Sequence, residues 1–310
     1  MKSILKRNIK TILNLSTYFL VIISVVFLVR YLLNNKLLYI PSKINWQYMI
    51  ISIIFLIIGF FFSCKSWQII LKKNNIFITY REAVLSRGIS TLGKYIPGKV
   101  WLILGASGRV ASTTGESVTN ITYVSILEQI MSIVAALMVG IISLYNKISS
   151  IYILLFYIIS ILCISLILIF KNEILLLFGF KKNNFFKKLL NPFLSSLSFF
   201  LFSCMLITWL SWSIGFFFMA RSIVPNLYSP IIGCSFSLAA VLGILVVIAP
   251  GGLGVREGAL AFLLAGFVNN KQDIATIAAI SRLWFLIGEI FIFLTALILL
   301  IFDKIKRKNL

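Results

Sequence analysis

The chain has 310 residues, of which 60% are hydrophobic and only 12% charged, with a mean hydropathy of +1.05. That composition excludes a soluble globular domain and makes the bilayer the solvent for most of the chain. The formal net charge of +21 invites a nucleic-acid reading, but the cations cluster between apolar runs, as inside-facing loops of a membrane protein do, which argues against such a partner.

Apolar runs approaching the roughly 20 residues needed to cross hydrocarbon fall at 11–33, 46–63, 119–145, 148–170, 193–220, 228–249 and 274–302, and a shorter one at about 258–268 cannot cross alone. The pattern predicts an all-α fold: a polytopic transmembrane helical bundle of about seven or eight spans with two Pro-Gly-interrupted or re-entrant elements. It is expected to form one integral membrane domain over 1–310, divisible into halves of about 1–147 and 148–310. No soluble domain is expected, since the longest polar interval, about 171–191, is only a loop.

The first run is followed by Arg30, Tyr31 and Leu32 instead of a small-residue cleavage site, so it reads as a retained helix. Helix-count parity then puts Lys2 to Lys10, Lys65 to Arg109, Lys171 to Lys188 and Lys304 to Lys308 on one side. Those windows hold 21 of the 29 basic residues, so that side is the cytoplasm and both termini face it.

With two spans crossed, residues 64–118 begin and end inside. Their first part, 76–90, mixes apolar residues with Arg81, Glu82 and Arg87, as a helix lying at the interface would. Next comes Thr91-Leu92-Gly93-Lys94-Tyr95-Ile96-Pro97-Gly98-Lys99-Val100-Trp101 and a short apolar run, a re-entrant or interfacial pattern. Spans three to five return the chain outside near Arg221. The runs 228–249 and 258–268 must then start and finish outside, either as a hairpin or as one full span with a short tilted one. Each half therefore carries one interrupted element entered from the opposite side, a pattern that points to a transporter-like substrate site, although no residue-level repeat accompanies it.

Ala249-Pro250-Gly251-Gly252-Leu253-Gly254-Val255-Arg256-Glu257 is the second interruption. Backbone that leaves the helix in a bilayer survives only where protein or a water-filled cavity supplies partners. Pro250 removes a donor, and Gly251, Gly252 and Gly254 permit positive φ and close approach. A helix restarting near Val255 would aim amides and the positive end of its dipole at the break, an anion site that Arg256 would strengthen. The plainer reading is that Gly254 and Gly258, four apart, let helices pack closely. Glu257 either neutralises a cation such as Arg282 or binds the cationic part of a substrate. Arg282 and Glu289 are seven residues apart, so they share a helix face about 10 Å from each other. Glu128, beside Gln129, is a further acid inside a span. Charged groups in spans are costly and mark either a substrate path or a structural ion-pair network. At the first interruption Lys99 is the strongest candidate for holding a phosphate, with Pro97 and Gly98 forming the break; ordinary inside-positive charge is the competing reading.

Cys64, Cys163, Cys204 and Cys234 lie in or beside apolar runs with no CxxC, and the chain has no His, so neither a metal site nor a disulfide framework is expected. No Gly-Lys-Ser/Thr phosphate loop is present; any energy source would be a gradient or downhill flow.

Taken together, Gly93 to Trp101 and Pro250 to Glu257 resemble the two signature motifs of the membrane domain of lysylphosphatidylglycerol synthases and their stand-alone flippase-like relatives, over about Trp46 to Phe302. The resemblance implies a multi-pass protein of the cytoplasmic (inner) membrane of a bacterium or archaeon. It implies a lipid or lipid-linked-glycan translocase, with no cofactor, that handles a membrane phospholipid or polyprenyl-linked glycan, and a homo-oligomer or glycan-assembly proteins as further partners. The soluble aminoacyl-transferase domain of the full synthase is missing from this chain, so that synthesis is not assigned. The alternatives are a membrane-embedded transferase using a lipid-linked donor, for which base chemistry would fall to the buried acids, and a non-catalytic subunit of a glycan or lipid assembly complex.

Overall fold

The computed structural model describes residues 44–95, 101–169, 198–246, 252 and 254–308. The expected first span, 11–33, the central polar loop, and Pro97, Gly98, Lys99, Pro250 and Gly251 lie outside the described residues. Regular structure among the described residues is all helical: α1 (Trp46–Lys73), α2 (Tyr80–Ser90), α3 (Trp101–Thr114), α4 (Val118–Gly140), α5 (Ser150–Ile169), α6 (Phe199–Ile223), α7 (Ile231–Leu245), α8 (Val255–Leu264) and α9 (Lys271–Lys308). Short 3-10 turns extend α2 over Thr91–Tyr95 and α4 over Ile141–Leu144.

Among the described residues, four stretches meet the length and apolarity needed to cross a membrane: Trp46–Lys73, Val118–Leu144, Phe199–Ile223 and Lys271–Asp303. Their starts are set by side-chain caps. Asn45 accepts from the amides of Gln47 and Tyr48, Ser117 from Asn120, and Ser198 from Leu201. Helix α1 runs ten residues past the apolar run that predicts it, because Trp67, Ile70 and Leu71 continue its buried stripe past half-buried Lys65 up to the exposed Lys72 and Lys73. It ends where Asn74 turns its amide back to Ile70 and Leu71 and Asn75 takes a positive φ of 63°.

The centre of the bundle is an antiparallel pair, α1 against α6. Small residues bring their backbones together: a Cβ on Gly59 would lie 2.3 Å from Trp212 Nε1, and one on Gly215 3.0 Å from the Ser52 carbonyl. Around this seam, Phe60, Trp212, Phe236, Trp284 and Phe285 interlock, with ring centroids 5.2 Å apart for both Phe60–Phe285 and Trp212–Phe285. Cys64 and Cys204 are buried and free within this apolar packing.

Two pairs of short helices fold back on themselves. In the first, Gly93 abuts Leu102, a Cβ on Gly105 would meet Ser90, and Arg109 Nε pairs with Glu82 Oε1 at 2.8 Å, so α3 retraces α2. In the second, Gly243 of α7 packs on Gly252 and Arg256, and α8 climbs back until Gly266 accepts from Asn146 beyond the end of α4. Helices of 15 and 10 residues are about 22 and 15 Å long, too short to cross separately. Successive contacts along α1, α6 and α9 put the open ends of the two hairpins at opposite ends of the bundle: Arg81 meets Asp303 near the end of α9, whereas α7 begins beside the end of α6.

Helix α2, whose mixed composition predicts a helix lying at the interface, is packed into the bundle along one face. Ala83, Val84, Leu85, Ser86 and Gly88 are buried, and a Cβ on Gly88 would stand 2.6 Å from the Ile292 carbonyl of α9. Small residues at 86, 88 and 90 admit this close packing, and the charge of Arg87 is met inside the bundle.

Candidate functional site

Among the described residues, two clusters of charge inside the bundle stand one beside each hairpin. In the first, Glu128 projects from α4 with 4% exposure. One carboxylate oxygen forms a close ion pair with Arg87 of α2, and the other accepts from Ser66 Oγ of α1 at 3.3 Å. The Arg87 guanidinium lies 5.2 Å over the Trp67 ring, whose Nε1 donates to Ser125 Oγ at 3.0 Å. Three helices thus converge on one carboxylate, and stacking on the indole fixes the guanidinium plane. A pocket opens here, lined by Trp67, Arg87, Leu102, Ile103, Ala106, Ser125, Glu128 and Gln129. Its Leu102 and Ile103 wall directly follows the Pro97-Gly98-Lys99 motif in the chain.

The second cluster sits at the restart of α8. Gly252 and Gly254 hold φ of 69° and 80°, left-handed values open to glycine at little cost. Glu257, in the first turn of α8, reaches back to accept from the Gly254 amide at 2.8 Å, and its other oxygen takes Arg282 Nη1 of α9 at 3.2 Å. The acceptor at this helix start is therefore the chain's own carboxylate, placed where the helix dipole favours negative charge. Arg256 points the other way: its Nη2 donates to the Ser281 carbonyl at 3.3 Å, and its guanidinium lies 4.7 Å from the Phe236 ring centre and 5.4 Å from that of Phe285. Close glycine packing occurs at Gly243 and Gly252, whereas nothing stands within 4 Å of a Cβ on Gly254 or Gly258. The reading of those two glycines as a packing pair is thereby corrected.

Of the residues singled out in the sequence, Glu257 and Arg282 meet, Gly252 and Gly254 shape the backbone around them, and Arg256 is buried alongside. Glu128 lies in the other cluster. Glu289 is fully buried on α9. Lys99, Pro97, Gly98, Pro250 and Gly251 lie outside the described residues. Sequence reasoning missed the role of Arg87 and with it Ser66, Trp67 and Ser125. The available signal was the spacing of Ser86, Gly88 and Ser90, small residues that suit close helix contact better than a surface. Among the described residues, no group of three His, Cys, Asp or Glu converges as a metal site would.

The family described as the lysylphosphatidylglycerol synthase TM region matches residues 15–296. The chain belongs to that family. The match encloses both interrupted motifs and both charged clusters; it begins inside the first apolar run, earlier than Trp46, and stops just short of Phe302. Comparison with curated proteins and with solved structures finds no match. Four described helices long and apolar enough to cross a membrane and a membrane-domain family together make the chain a membrane protein.

Proposed function

We propose that this chain is a flippase-like translocase that moves a lipid with an anionic headgroup, a phospholipid or polyprenyl-linked glycan, between the leaflets of the cytoplasmic membrane. The observation that carries the reading is the pairing of each folded-back helical hairpin with a buried acid–base pair, Arg87–Glu128 at one and Arg282–Glu257 at the other. Buried charges in a membrane protein are costly, and their place beside interrupted helices entered from opposite ends is the arrangement expected of a substrate path. A structural network would need no such symmetry.

Chemically, the second cluster can exchange partners. A headgroup phosphate arriving at the α8 start would accept from the Gly254 amide and Arg282 in place of Glu257. The displaced carboxylate would take a proton or a cationic headgroup substituent. Headgroup contacts would then pass to the Arg87 cluster on the other side, with the acyl or prenyl chains remaining in lipid and the two hairpins serving as gates. Glu128, Glu257 and Glu289 are the groups able to carry protons if a gradient drives the movement.

The test uses sealed phosphatidylglycerol vesicles containing the full chain and a tail-labelled fluorescent phosphatidylglycerol whose outer-leaflet pool is quenched by dithionite. The intact chain should accelerate leaflet exchange over protein-free vesicles. Glu257→Gln and Arg282→Gln should each lower the rate by on the order of tenfold or more, about 1.4 kcal/mol of barrier, while keeping native circular dichroism. Intact-protein rates in both folded variants would overturn the reading.

A further inference from the structure

Arg221 closes α6 at the end of the bundle where α1 begins; like Arg256 it stacks on two rings, but it is only part-buried and stands beside exposed aromatic residues. Its guanidinium carbon lies 4.6 Å from the Tyr48 ring centre and 5.4 Å from that of Tyr228, so the cation is flanked by two aromatic faces. Its Nε is buried with no hydrogen-bond acceptor among the described residues.

The chain holds only eight acids, which limits where a counter-ion could come from. Glu82, Glu128, Glu257 and Asp303 pair with Arg109, Arg87, Arg282 and Arg81. None of the seven acids among the described residues pairs with Arg221, and the eighth, Glu173, lies outside the described residues.

The surroundings indicate the missing anion. Trp46 is 68% exposed and Tyr228 72% exposed, and both belong to this end, where the Asn45 amide donates to the Ser222 carbonyl at 2.9 Å. Exposed Trp and Tyr at the ends of apolar helices sit at headgroup depth, where the abundant anion is the lipid phosphate. The α1 start lies against this corner and α7 begins three residues after Tyr228, so two helix N-termini raise the local potential in favour of an anion.

We propose that Arg221, held between Tyr48 and Tyr228, is a binding site for the phosphate of a membrane phospholipid, separate from the two charged clusters and from any translocation path. The guanidinium donates to the phosphate oxygens. The rings fix its plane and carry the glycerol backbone, and the bound lipid ties the ends of α1, α6 and α7 together.

The experiment is native mass spectrometry of the full chain released from phosphatidylglycerol bilayers, compared with Arg221→Gln, Arg221→Lys and Tyr228→Leu. Loss of one charged hydrogen-bonding group predicts that Arg221→Gln retains the tightest phosphatidylglycerol about tenfold less. Arg221→Lys should recover part of that retention, and Tyr228→Leu, at an exposed position, should lower it without affecting folding. Diacylglycerol, which lacks phosphate, should not be retained by any form. Displacement of the lipid by millimolar inorganic phosphate would assign the site to free phosphate and overturn the lipid proposal. Equal lipid retention by the intact chain and folded Arg221→Gln would also overturn it, as would unchanged retention in Tyr228→Leu should Arg221→Gln fail to fold. None of these readouts depends on leaflet exchange, so the site and the translocase reading stand or fall separately.

Discussion

A carboxylate 4% exposed within α4 has lost nearly all of its hydration, and Glu128 recovers it from an arginine and a serine on two other helices. Such a pair adds little net stability over apolar side chains of the same volume, yet removing one partner leaves a buried charge with nothing to answer it. Arg87→Gln should therefore destabilise the protein by about 3–5 kcal/mol, read as a large drop in melting temperature in detergent. Adding Glu128→Gln should restore most of that loss, because two amides can hydrogen-bond to each other. If the double variant melts no higher than the single one, Arg87 contributes through its contact with Trp67 instead of its charge. The pair was half legible in the sequence. Glu128 stands out as an acid in an apolar run, but Arg87 reads as one more inside-facing cation, since nothing local encodes a partner 41 residues away.

At the scale of elements, the proposed gating assigns movement to both hairpins, and the α2–α3 hairpin offers a place to lock one of them. Ser90 and Gly105 face each other across it, with the serine Cβ 3.3 Å from where a Cβ on Gly105 would stand, near the separation that a disulfide spans. On a background with the four native cysteines replaced, Ser90→Cys with Gly105→Cys should cross-link under mild oxidant. Cross-linking should slow leaflet exchange about tenfold, and reductant should reverse the effect. Full exchange in the cross-linked protein would show that this hairpin moves as a rigid piece, if it moves at all. The hairpins also mark where sequence reading stopped. Pro-Gly punctuation marks both interruptions, but a short mixed segment such as 76–90 has the same composition at a membrane interface as between two other helices, and only its packing on α9 tells them apart. Likewise, the apolar run predicts a span over 46–63, whereas Trp67, Ile70 and Leu71 carry the buried stripe of α1 a further two turns or more. Long apolar spans are specified by composition alone, while the seating of short ones depends on partners distant in the chain.

For the molecule as a whole, the distribution of cations and the path of α7 and α8 make one joint demand. If α8 returns to the end at which α7 began, the link 268–270 before α9 must lie on the same side of the membrane as the link 224–230 before α7. The basic turn after α1 must then lie on the other side, the side that the inside-positive rule makes cytoplasmic. Single cysteines at exposed positions test this directly: Asn75→Cys in the turn after α1, Asn226→Cys before α7 and Asn269→Cys before α9. In intact cells a membrane-impermeant maleimide should label positions 226 and 269 and spare 75 until the membrane is permeabilised. Labelling of 226 alone would mean that α7 and α8 together cross the bilayer. The second charged cluster would then sit within a kinked span, the two hairpins would no longer oppose each other, and the argument for a path between them would lose its geometric basis.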